Sequence, residues 1–100
     1  MSVLVLTRVP GDTQQFREFM TSNPDIIVRI RDDAQSKGAV HHRFGVGDGY
    51  IIVIDEWESA EAFENFFASN PDIPDVMRGA GAQGPPESTF LDAIETADQF

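Results

Sequence analysis

Ser22-Asn23-Pro24-Asp25-Ile26 recurs as Ser69-Asn70-Pro71-Asp72-Ile73, an offset of 70 − 23 = 47. The match reaches upstream, where Phe16 and Phe19 fall on Phe63 and Phe66, and 7 of the 13 positions are identical between residues 14–26 and 61–73. At the same offset Val3-Leu4-Val5-Leu6 lands on Tyr50-Ile51-Ile52-Val53. Each half therefore runs from an apolar strand into a helix that Asn-Pro interrupts, because proline has no amide hydrogen to donate and the helix must kink or restart there. Repetition of a supersecondary unit speaks to architecture before it speaks to activity.

Between the repeated segments the pattern supplies the remaining elements. Residues 3–9 form an apolar run closed by Pro10-Gly11, a first strand. Asp12 is placed to cap the next helix, with Gln15 three places on to complete a capping box. Beyond Pro24 a second helical segment carries Ile27, Ile30 and Ala34 on one side and stops at Lys37-Gly38. Residues 39–46 and 50–57 read as a hairpin about a type I′ Asp48-Gly49 turn. Ser59 caps a helix bearing Phe63, Phe66 and Phe67 before Asn70-Pro71, and Pro74 interrupts the chain again. Residues 79–86 are rich in Gly, Pro and Ala and read as a loop, residues 88–94 as a last strand. The order is βαββαβ in one domain spanning residues 1–100, with halves at about 3–46 and 50–96. Two right-handed βαβ crossovers in tandem predict an α+β, ferredoxin-like sandwich with both helices on one face of a four-stranded antiparallel sheet. The strands that open each half should be central, since their nearly unbroken apolar character suits burial on both faces.

Composition narrows the partners. The net charge is −10 with a single Lys, so a duplex or an anionic membrane surface would repel this chain, and nucleic acid is not expected. Zero Cys removes disulfides, thiolate nucleophiles and Cys-ligated metals. The opening Met1-Ser2-Val3-Leu4-Val5-Leu6 lacks the basic region of a targeting peptide, and no apolar run approaches membrane-span length. The expectation is a soluble, cytoplasmic protein.

Side-chain alternation along strands assigns faces. A two-residue turn pairs Val46 with Ile51, Phe44 with Val53, His42 with Asp55 and Val40 with Trp57, a mostly large and apolar set that belongs under the helices. The other face pairs Gly45 with Ile52, Arg43 with Ile54 and His41 with Glu56. The 47-residue offset adds Val3, Val5, Thr7 and Val9 to that second face, beside Tyr50. A three-residue turn, Gly47-Asp48-Gly49, would shift the register by one and swap the faces of residues 39–46. A bare face presenting Val3, Val5, Ile52 and Ile54 marks an interface or a ligand groove, so two sheets are expected to pack face to face in a homodimer.

Ile52-Val53-Ile54-Asp55-Glu56-Trp57-Glu58-Ser59-Ala60-Glu61-Ala62-Phe63 resembles the antibiotic-biosynthesis-monooxygenase family of dimeric α/β barrels, in which an apolar strand leads through W-x-S-x-x-A/S-F into the second helix. The likeness extends over residues 3 to about 95. It implies the same sheet-to-sheet dimer, and a superfamily that includes cofactor-free oxygenases of polyketide and quinol substrates, haem-degrading enzymes and isomerases. The haem-degrading branch needs an Asn on the first strand, a Trp in the second helix and a ligating His beyond it. Those places hold Thr7, Phe66 and the stretch 75–77, and no His follows His42, so haem degradation is disfavoured and no cofactor is expected.

Candidate chemistry is sparse. His41-His42 is the only imidazole pair, and on a strand the two rings point to opposite faces and cannot share a metal. His42 reads first as a cross-strand partner of Asp55. His41, on the bare face near Glu56 and Arg43, reads as the better general base, because imidazole titrates near neutral pH. Arg43 would hold an enolate or carboxylate, Tyr50 would donate a hydroxyl, and Thr7, Ile52, Ile54 and Glu56 would complete a pocket. Trp57 reads as core. No loop for phosphate or calcium, no zinc motif and no nucleophile elbow occurs. The expectation is a small enzyme resembling the cofactor-independent monooxygenases, acting on a small aromatic or polyketide-type substrate. The alternative is a non-catalytic dimer that binds a small hydrophobic ligand.

Overall fold

The computed structural model describes residues 2–100. The chain runs β1 (Val3–Pro10), α1 (Thr13–Ser22), α2 (Pro24–Ser36), β2 (Ala39–Val46), β3 (Tyr50–Trp57), α3 (Ala60–Ser69), α4 (Ile73–Gly79) and β4 (Glu87–Asp92). The antiparallel sheet has the order β2-β3-β1-β4, so the two repeat-opening strands are central, as their composition requires.

Both Asn-Pro sites break a helix. Pro24 starts α2 in the first turn, where its missing donor costs nothing. At the second site Asn70 is buried, and its Oδ1 accepts from the amides of Asp72 and Ile73. Pro74 also sits in a first turn, so it opens α4 rather than interrupting the chain. Asp12 and Ser59 cap α1 and α3 by accepting from the Gln15 and Ala62 amides. Gln15 does not close a capping box; its side-chain amide donates to the carbonyl of Arg78. Gly38, at φ 113°, ends the α2 connection in a conformation open to glycine.

The hairpin has the expected register from His41↔Glu56 to Val46↔Ile51. Two details differ. A bulge between Ala39 and His41 sets Ala39, not Val40, opposite Trp57. The turn is not type I′, because that needs positive φ at both central residues and only Gly49 (φ 82°) has it. The ring of Tyr50 lies over Gly47, where a Cβ would collide with it.

The face of β1 is the larger correction. Val5 pairs with Asp55, Thr7 with Val53 and Val9 with Ile51. Directly opposed residues share a face, so Val3, Val5, Thr7 and Val9 lie under the helices. Val5, Thr7 and Val9 are only 0%, 2% and 5% exposed. The repeat offset is odd and carries odd residues onto even ones, whereas the antiparallel register joins odd to odd. The bare side remains apolar, with Leu4, Leu6, Ile52, Ile54 and Leu91 in place of the valines; Leu4, Ile54 and Leu91 are 37%, 47% and 46% exposed.

Two clusters make up the core. Val5, Trp57, Phe63 and Phe66 form one, and Phe16, Ile51 and Ala80 the other. The helix layer does not close over the sheet between them. No helix among the described residues is long and apolar enough to cross a membrane.

Candidate functional site

The space between the two clusters is a cavity of about 400 Å³, within the range of small-molecule sites. Its floor is the helix-facing side of the sheet (Thr7, Val9, Val53, Asp55, Trp57), and Phe63, Phe66, Ile73 and Val76 wall it. Ile27, Ile30 and Ala34 of α2 form the roof. That helix has no fully buried residue, the expected result for an apolar face laid over empty space. The cavity opens between α2 and edge strand β2, where the lining residues Arg31, Gln35, Val40, His41 and His42 are exposed.

Ion pairs and hydrogen bonds tether the roof at its outer side. Arg29 donates twice to the carboxylate of Asp72, at 3.2 and 3.1 Å. That pairing holds the guanidinium above its ordinary pKa. Asp33 accepts from Asn70 Nδ2 at 2.8 Å and from Lys37 Nζ at 3.2 Å. The Asn70 bond first, then Lys37, holds the Asp33 carboxyl below its usual range.

One polar chain crosses the apolar lining. His42 Nδ1 lies 2.6 Å from Asp55 Oδ1, and Trp57 Nε1 donates to Asp55 Oδ2 at 3.1 Å. Asp55 is 7% exposed, while the His42 side chain at the mouth is 46% exposed. The His42 ring stands edge-on to Phe44 at 4.6 Å, and Phe44 edge-on to Phe16 at 5.1 Å, so aromatic contacts as well as the carboxylate fix its plane. A second polar contact, Thr7 Oγ1 to Ser88 Oγ at 2.9 Å, lies on the floor.

The residues singled out from sequence do not meet in one place. Thr7 lines the cavity, on the opposite face from the one expected. His41 touches the mouth, but its register partner is Glu56 on the bare face. Arg43, Tyr50, Ile52, Ile54 and Glu56 all belong to that bare face. Tyr50 is engaged by Arg8, whose guanidinium carbon sits 3.8 Å from the ring centroid, and Glu56 accepts from Ser2 Oγ. His42, expected only as a cross-strand partner, also lines the cavity mouth. Its pairing with Asp55 was legible from hairpin parity, but not the empty volume above it.

No family model and no curated protein matches the chain. Solved structures do. SnoaB, a cofactor-independent oxygenase from Streptomyces nogalater, is 17% identical with a TM-score of 0.62, covering 98% of both chains. A monooxygenase from ActVA-Orf6 of Streptomyces coelicolor, in complex with nanaomycin D, is 16% identical with a TM-score of 0.67, covering 99% of this chain and 93% of that one. An antibiotic biosynthesis monooxygenase is 11% identical with a TM-score of 0.66, covering 93% of this chain and 99% of that one. The chain therefore has the fold of the antibiotic-biosynthesis-monooxygenase structures, as the motif around Trp57 suggested. At these identities the likeness is one of fold.

Proposed function

We propose that the protein is a cofactor-independent, monooxygenase-like enzyme that takes a small aromatic or polyketide-type substrate into the cavity between sheet and helices. The observation that carries this reading is the one basic side chain at the mouth of a mostly apolar cavity that a buried carboxylate backs, His42 with Asp55 behind it. Such a site binds a flat apolar body and leaves one acidic hydroxyl or activated C–H at the imidazole. The neutral ring removes that proton, and the resulting delocalised anion, kept from water by the aromatic walls, reacts with dioxygen. For an activated methylene group the overall change is oxidation to a carbonyl. One dioxygen atom becomes the carbonyl oxygen, the other leaves as water with the two methylene hydrogens, and no further reductant is needed. The neighbours named as a cofactor-independent oxygenase and as a monooxygenase holding nanaomycin D support this class. His42 takes the role first expected of His41, because His42 has the buried Asp55 behind it whereas His41, also at the mouth, is opposite Glu56 in the register. Arg43, Tyr50 and Glu56 then serve the assembly rather than the chemistry.

The bare face supports the second part of the proposal, a homodimer closed by Leu4, Ile52, Ile54 and Leu91 of each copy. Light scattering on a sizing column should give twice the chain mass at micromolar concentration; a strict monomer would rule this out. For the activity, oxygen uptake is measured with a panel of hydroquinones and anthrones on wild type and His42→Ala. Uptake lost in the variant supports the reading. The thin polar lining favours one alternative, a non-catalytic carrier of a small hydrophobic ligand. Absence of turnover across the panel, together with ligand-induced rises in melting temperature, would select it.

A further inference from the structure

We infer that Asp55 is a positioning residue that sets which nitrogen of His42 carries the proton, and that Trp57 fixes Asp55 in that role. The inference deepens the proposed function, on which only its kinetic arm rests. A carboxylate only accepts hydrogen bonds, so the 2.6 Å contact requires a proton on Nδ1 of His42. In the neutral ring Nε2 is then the lone-pair nitrogen, and it makes no hydrogen bond among the described residues, so it is the atom free to take a ligand's proton. The indole N–H of Trp57 only donates, and it occupies the other oxygen of Asp55. Trp57 is itself buried in the aromatic cluster with Phe63 and Phe66, at ring distances of 5.7 and 5.1 Å, so this donor cannot turn away.

The arrangement predicts a result that a merely structural carboxylate would not. In Asp55→Asn the shape is kept, but the side chain now has one acceptor and one donor end. Trp57 claims the oxygen, which turns the NH2 toward His42 Nδ1 and requires a lone pair there. The ring proton moves to Nε2, and the base is blocked. Adding Trp57→Phe removes the claim on the oxygen, frees the amide to turn, and returns the proton to Nδ1.

The test is two-bond 1H–15N correlation spectroscopy of the 100-residue chain with 15N-labelled histidine, at a pH where the rings are neutral, with His41→Gln used to assign the two residues. Wild type should show Nδ1–H at His42, Asp55→Asn should show Nε2–H, and the double variant should return to Nδ1–H in whole or in large part. A wild-type ring protonated on Nε2, or an Asp55→Asn ring that keeps Nδ1–H, would overturn the inference, and the wild-type spectrum decides even where the variant fails to fold. A double variant that stays Nε2–H would remove Trp57 from the account. In turnover, Asp55→Asn should lower kcat on the order of 10²–10⁴-fold with KM little changed, and the double variant should recover part of the loss. Spectra as expected with no turnover in wild type would leave the tautomer lock standing and end the catalytic reading.

Discussion

Ala34→Leu tests the cavity directly. Ala34 lies on the inner side of α2, lines the space and packs partly against the Trp57 cluster. Leucine adds three carbons. At about 0.8 kcal/mol per buried CH2, full burial contributes about 2.4 kcal/mol. Ordering the side chain gives back about 0.5–1 kcal/mol, and helix propensity changes little between Ala and Leu. The net expectation is about 1.5 kcal/mol of added stability, a large share of the 5–15 kcal/mol typical of a domain. In a filled core the same substitution would instead cost about 1–3 kcal/mol through overpacking, so the sign of the effect separates the two cases. The assay is urea unfolding, read as a higher midpoint with an unchanged slope, and a melting temperature raised by about 4–8 °C per kcal/mol. Oxygen uptake, or ligand-induced thermal shift, should fall in the same variant because the space is used up. Destabilisation would show that α2 packs onto the sheet without a gap. Stabilisation with full activity would show that the cavity exists but is not the site.

Acid unfolding should depend on Asp33. Its folded pKa is lowered, so its contribution is present above the ordinary value of 3.8 and is lost as pH falls through the lowered value; Asp33→Asn should flatten stability against pH in that window, measured by urea midpoints between about pH 5 and 2.5. Arg29→Met should loosen the tether between α2 and α4 in a salt-dependent way. Wild type and variant should converge in stability as sodium chloride is raised, and a difference that persists in high salt would assign the effect to packing. Gly47→Ala should cost about 1–3 kcal/mol, because its Cβ meets the Tyr50 ring held by Arg8; an unchanged urea midpoint would show that the ring moves aside freely.

The local pairings around the cavity are legible in the sequence. The hairpin is local, so two-residue spacing about Asp48-Gly49 placed His42 opposite Asp55, and the structure has that pair. Trp57 as core and the caps at Asp12 and Ser59 follow from equally short-range rules. The face expected for β1 is the opposite of the one found, because its partner, β3, is some fifty residues away and the repeat aligns the helices rather than the strand phases. Thr7 moves with it from the bare face to the cavity floor. His41, Arg43 and Tyr50 have residue types that suit catalysis, but of the three only His41 lines the cavity, and only at its mouth.

Periodicity and the Asn-Pro repeat determined, by themselves, the order of elements and the central strands, and the hairpin residues pointed to the pairing found from His41 to Val46, because each depends on interactions within a few residues or on a pattern copied along the chain. Only the tertiary structure decided which side of β1 is covered and that α2 roofs an empty space above His42 and Asp55. Both depend on how distant segments seat against one another, and a volume that no atom occupies leaves no letter in the sequence.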